Sequence, residues 1–180
     1  MNRLTQKYSS KLVAGVAGAS FALLSATALA TGPSGQTDSA LVEIGINNLY
    51  NIEGMNDILF GVWNGLGDES RQDDVCVWTN VPSGSYNVTV TSSTGGYTLD
   101  SGANQLPVSI SWAGAPGQTT GTVLTYATPS SFTTTATAPD CPGADTATFI
   151  VDILATDLAA QPASATAYSA TMTATITTGP

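Results

Sequence analysis

The feature that most constrains this chain is a two-residue alternation of apolar and polar side chains that recurs from residue 42 to residue 177. Its clearest copy is the last one. There Tyr168, Ala170, Met172, Ala174 and Ile176 alternate with Ser169, Thr171, Thr173, Thr175 and Thr177. Successive side chains of an extended backbone point to opposite faces, so each such run reads as a strand with one buried face. Val42, Ile44 and Ile46 predict a half-buried strand, and residues 58–63 a short, strongly apolar one. Val108, Ile110 and Trp112 predict another, as do residues 123–126 and the face Phe149, Val151 and Ile153. Residues 75–80 and 85–91 read as a hairpin turned at Pro82-Ser83-Gly84. Cys76 and Trp78 share a face of its first arm, and Tyr86, Val88 and Val90 a face of its second. Residues 130–138, nearly all Thr, Ser and Ala, suit an exposed edge strand or loop.

About eight such strands with Gly/Pro turns between them, and no helical period after residue 30, predict an all-β fold. An Ig-like Greek-key β-sandwich is the first expectation and a jelly roll the alternative. Residues 1–30 read differently. Arg3, Lys7 and Lys11 precede an apolar run, and Ala28-Leu29-Ala30 is a small-x-small cleavage signal, so this segment is expected to be a secretory signal peptide. The polar residues 31–39 are expected to be a flexible N-terminal segment, and residues 40–180 the sandwich domain.

Export changes the charge balance. Three of the four basic residues lie in residues 1–30, which leaves Arg71 as the one cation against thirteen acidic side chains. Nothing then neutralises phosphates, so neither nucleic acid nor an anionic membrane is an expected partner, and no insertion of the mature chain into a membrane is expected. The chain has no histidine, the commonest general base and metal ligand. With no catalytic constellation, the expectation is a protein that is not an enzyme and needs no cofactor. Two cysteines, Cys76 and Cys141, in an exported chain are expected to form a disulfide.

Asp68, Glu69, Asp73 and Asp74 fall in what reads as the most charged loop. A solvated acidic loop is the first reading and a calcium site the weaker one. Among the aromatics, Trp78 and Trp112 sit on apolar strand faces and are expected in the core. Tyr97, between two turns, is the candidate for contact with a ligand such as a glycan.

Several of these segments resemble the spore coat protein U family, which includes subunits of archaic chaperone-usher pili. The similarity rests on Leu59-Phe60-Gly61, Val75-Cys76-Val77, Tyr86-Asn87-Val88-Thr89-Val90 and residues 106–112, followed by a terminal strand introduced by Pro162 and opened by Tyr168. The resemblance implies a pilin-like sandwich that lacks one strand. A periplasmic chaperone, and then the next fibre subunit, would fill the gap with a donated strand. On that reading Val42, Ile44 and Ile46 are donor or groove lining, and Tyr168, Met172 and Ile176 line the groove. The chain lacks the family's usual cysteine near the end of the first strand, because residues 46–49 hold none. The expected function is therefore a secreted structural subunit of a bacterial surface fibre that serves adhesion or biofilm formation, located in the periplasm in transit and then at the cell surface. The alternative is a self-complete secreted binding module for carbohydrate or protein.

Overall fold

The computed structural model describes residues 41, 43–142, 144–163 and 166–179. The signal peptide, the segment 31–39 and Val42 lie outside the described residues. The chain divides into two units, residues 1–43 and residues 44–180, and the β structure belongs to the second.

That structure is nearly all β and antiparallel. Its elements in order are β1 (Tyr50–Glu53), β2 (Glu69–Thr79), β3 (Ser85–Ser92), β4 (Thr98–Ser101), β5 (Asn104–Pro107), β6 (Ser109–Ala113), β7 (Thr122–Val123), β8 (Ser130–Thr133), β9 (Ala147–Ile153), α1 (Ala155–Ala160) and β10 (Met172–Thr178). One sheet has the order β1-β2-β9-β6-β7, a second has β10-β3-β8, and β4 and β5 form a separate hairpin. β9 enters between β2 and β6, and the last strand pairs with β3, far from it in sequence. Both placements are non-local closures made after most of the chain is laid down.

The core lies between the two larger sheets. Val75 and Val77 of β2, Ile110 and Trp112 of β6, and Ala147, Phe149 and Val151 of β9 meet Tyr86, Val88 and Val90 of β3. The contact is built on rings. Trp112 Nε1 donates to the Tyr86 hydroxyl at 3.0 Å, which joins the two sheets through a buried hydrogen bond. Phe132 of β8 lies 6.0 Å from Tyr86 and 6.4 Å from Trp112, while Phe149 lies 6.4 Å from Trp112. Aromatic pairs at such spacings add roughly 0.5–1.5 kcal/mol each beyond the area they bury.

The expected inward faces of β3, β6 and β9 are the observed ones, and the expected face of β2 is not. Val75 and Val77 look inward, so Cys76 and Trp78 lie on the outer side of the sheet, and Trp78 is only half-buried. The reason is local: residues 75–78 are apolar at every position, so alternation cannot choose a face there. The pairing Val75↔Ala147 chooses it. On that outer side Cys76 bonds to Cys141, with Cα atoms 5.8 Å apart, and Asn51 Nδ2 donates to the carbonyl of Pro139 nearby. The bond closes a separation of 65 residues. In the loop-entropy model such a closure stabilises by about 4 kcal/mol.

Three other expectations are corrected. Residues 58–63 form no strand. Ile58 and Phe60 do pack against the core, but Gly61 has φ +80, a left-handed conformation that ends an extended run, and Leu59 and Val62 face solvent. Residues 43–49 form no strand either, since no neighbouring strand supplies a ladder for them. The Ala-rich stretch after β9 holds the short helix α1. Leu154, its N-cap residue, caps with no side-chain bond, and Asp68 Oδ1 accepts from the Ala155 N–H at 2.7 Å instead.

The β2–β3 turn depends on Gly84, whose φ is +67 and whose added Cβ would collide with the carbonyl oxygen of Thr134. Gly84→Ala is expected to lower stability by more than about 1 kcal/mol, read from a urea transition. Tyr86→Phe leaves the buried Trp112 N–H without its acceptor, and is expected to lose about 1–3 kcal/mol in the same measurement. Burial raises the Tyr86 pKa above its ordinary 10.0, opposed by the Trp112 hydrogen bond. The unfolded chain therefore loses this proton first as pH rises. Stability should be fully present below pH ~10 and fall above it, and Tyr86→Phe should flatten that fall.

Candidate functional site

β1 and β10 are edge strands of opposite sheets, and they approach each other along one side of the sandwich. β1 pairs only with β2 (Tyr50↔Thr79 to Glu53↔Cys76), and β10 only with β3 (Met172↔Ser92 to Thr178↔Tyr86). Their inward residues, Tyr50 and Ile52 on one strand and Met172, Ala174 and Ile176 on the other, reach the core but stay only half-buried. Among the described residues the Tyr50 hydroxyl is the one buried side-chain polar atom with no hydrogen-bond partner. Natural structures leave few such atoms, because each costs roughly 1–3 kcal/mol.

The segment leading into β1 is held at one point. Asn80 accepts from the Leu49 N–H at 2.7 Å through Oδ1, its own N–H donates to the Leu49 carbonyl at 3.2 Å, and its Nδ2 donates to the Asn47 carbonyl at 2.9 Å. Upstream of this clamp the described apolar side chains are in water. Ile44 is 84% exposed and Ile46 76%. Both were expected on a half-buried strand; their period of two is intact, but among the described residues no neighbouring strand pairs with them.

Of the groove residues read from sequence, Met172 and Ile176 share the inward face of β10. Tyr168 does not join them. The terminal run is interrupted, with Ser169 bridging Asp100 of β4 before β10 begins, and the Tyr168 hydroxyl donates to the Pro162 carbonyl at 3.1 Å.

Tyr97 is half-buried and its ring packs edge-on against Tyr126 at 5.3 Å, with its hydroxyl donating to the Val90 carbonyl at 3.3 Å. Burial raises its pKa, and the neighbouring Tyr126 adds to the rise. These contacts make it a lid on one end of the core rather than a displayed platform.

The four acidic residues do not form one site. Most of the expected loop is strand β2, so Asp73 and Asp74 point to opposite faces. Asp73 accepts from the Asn56 backbone N–H at 2.6 Å, and Glu69 pairs with Arg71 at 3.5 Å. Asp68 serves α1, while Asp74 Oδ1 accepts from Thr148 Oγ1 at 2.6 Å and from the Gly117 N–H at 2.8 Å. Among the described residues no group of three or more acidic, cysteine or histidine side chains is placed to hold a metal ion. None of their helices is long and apolar enough to cross a membrane.

No family model matches the chain, and no curated protein matches it.

Asp74 ties β2 to the 115–118 loop through the buried Thr148. Asp74→Ala is expected to cost about 1.5–3 kcal/mol, whereas millimolar calcium should leave the melting temperature of the unaltered protein unchanged; calorimetry checks both.

Proposed function

We propose that this chain is a secreted structural subunit of a surface fibre, assembled when an apolar strand of one copy completes the sandwich of the next. The observation that carries this reading is the segment ahead of β1, where Ile44 and Ile46 keep strand alternation yet stand in solvent. An amphipathic strand left in water has its burial still to gain. Each of the two isoleucines offers about 1.5–3 kcal/mol on full burial.

The acceptor in this reading is the side where β1 and β10 meet. Both are open edges with unpaired main-chain groups, both have half-exposed inward side chains, and the unpartnered Tyr50 hydroxyl lies on β1. An added strand supplies main-chain hydrogen bonds for affinity and alternate side chains for specificity. The resemblance to the spore coat protein U family points the same way, and assigns transit protection to a periplasmic chaperone. The disulfide is compatible with an exported protein.

A self-complete secreted binding module is the second reading. It is favoured by the central core, where Val75, Val77, Tyr86, Val88, Val90, Ile110 and Trp112 are all 0% exposed in the isolated chain.

The two readings separate in one experiment. The protein is exported to an oxidising periplasm with and without a co-expressed chaperone, and its yield, size and unfolding are compared with and without a peptide covering residues 41–47. Fibre assembly predicts a labile or self-associating protein that the peptide stabilises. The double variant Ile44→Asp/Ile46→Asp should lose assembly while changing monomer stability by less than about 0.5 kcal/mol, because both positions are exposed. A monomer with a cooperative melt that ignores the peptide would sink the fibre reading.

A further inference from the structure

Residues 54–68 run from β1 to β2 as a loop whose base is fixed and whose tip is apolar. Ile58 and Phe60 pack against the core, Arg71 lies over the Phe60 ring at 5.7 Å, and Trp63 Nε1 donates to the Gly67 carbonyl at 3.2 Å. Between these anchors Leu59, Val62 and Leu66 stand in solvent, 81%, 97% and 76% exposed. Residues 58–67 contain no charged side chain, and within them lies Asn64-Gly65, the one Asn-Gly step of the chain.

An asparagine can lose its amide to its own backbone. The nitrogen of the next residue attacks Cγ and closes a five-membered succinimide, so the reacting atoms are brought together by covalent geometry rather than by encounter. A side chain on that next residue obstructs the attack, and glycine has none.

The fold leaves this step open at Asn64. The Leu66 N–H donates to Asn64 Oδ1 at 2.9 Å, which folds the side chain back over the Gly65 peptide and polarises the carbonyl that the nitrogen must reach. Among the described residues the Gly65 N–H has no hydrogen-bond acceptor, so its proton is available to solvent base. A Cβ added at Gly65 would meet nothing within 4 Å. The leaving group is free as well, because Asn64 is exposed and its Nδ2 donates to no described residue. Elsewhere that nitrogen is tied down. Nδ2 of Asn51 donates to the Pro139 carbonyl, that of Asn56 to Gly54, that of Asn80 to Asn47 and that of Asn87 to Thr178, and none of these four residues precedes a glycine.

We propose that Asn64 is a self-modification site, at which the side-chain amide is exchanged for a carboxylate with water as the only co-reactant. The Gly65 nitrogen bonds to Cγ and gives up its proton, the Cγ–Nδ2 bond breaks, and Nδ2 leaves as ammonia. Water then opens the ring. Cleavage of the new N–Cγ bond gives aspartate, cleavage of the bond to the main-chain carbonyl gives isoaspartate, and neither route changes an oxidation state. Both products put a negative charge into the charge-free run, between Val62 and Leu66. Isoaspartate also lengthens the main chain by one methylene at the loop tip. The loop therefore turns with age from an apolar display into an anionic one. This is independent of the fibre reading, since it uses neither β10 nor the segment ahead of β1.

The test incubates the purified, disulfide-bonded protein in mildly acidic and mildly alkaline buffer. Peptide mapping by mass spectrometry locates each amide-to-acid exchange, and a phenyl column reads the apolar surface. Asn64 should convert ahead of every other asparagine and faster in the alkaline buffer, and the converted fraction should lose retention on the column. Asn64→Gln, which must close a larger ring, should lose the conversion and keep the retention. Unaged Asn64→Asp should elute with the converted aspartyl fraction. An Asn64 that stays amidated while the exposed Asn47 or Asn48 converts overturns the proposal, as does a rate no higher in alkaline than in acidic buffer. Conversion with unchanged retention overturns the turn from apolar to anionic display.

Discussion

The hydrogen bond from Trp112 to the Tyr86 hydroxyl is the contact on which the rest of the structure depends. It is the point where the two sheets recognise each other, and it is polar inside a cluster of rings. A purely apolar interface tolerates sliding, because methyl groups pack nearly as well one residue along. A buried N–H with one acceptor does not, since any other alignment leaves it unsatisfied at a cost of a few kcal/mol. Phe132 and Phe149 close around this pair from β8 and β9, so four strands from both sheets are set by a single alignment.

From that centre the structure loosens outward in one direction. β9 has neighbours on both sides and is buried on both faces, with Ile150 and Thr148 at 0% exposure on the side away from the core. β1 and β10, at the margin, have one neighbour each and half-exposed inward residues. A main chain with unpaired groups beside uncovered apolar side chains is a template for another strand. The opposite face of β10 is saturated with hydroxyl groups and offers no such apolar template. One seven-residue strand therefore presents two surfaces of different chemistry.

Acidic side chains, in a chain nearly without cations, are spent on structure. Asp68 caps a helix, Asp73 holds the Asn56 turn, and Asp74 braces a loop through Thr148. Their dispersal along a strand is why they form no common ion site. Read as a loop, the same four residues looked like a cluster. Read as a strand, neighbours face opposite ways.

The sequence alone determined the class of fold and the lining of much of its core. Alternation in residues 85–91, 108–112 and 149–153 is a direct image of one buried face, and it named Tyr86, Val88, Val90, Ile110, Trp112, Phe149 and Val151 correctly. The Cys76–Cys141 bond followed from two cysteines in a chain read as exported. Where the period was silent or lacked a partner, only the tertiary structure decided. The uniformly apolar residues 75–78 took their face from pairing with β9. Gly61 broke a run that hydropathy alone joins, and Tyr97 was drawn into contact with Tyr126 by a fold that local turns do not specify. The alternation at Ile44 and Ile46 is legible in the chain but unpaired in the monomer. Side-chain period is a local property, written residue by residue; a ladder needs a second strand, and which strand stands beside which is settled only when the sheets close.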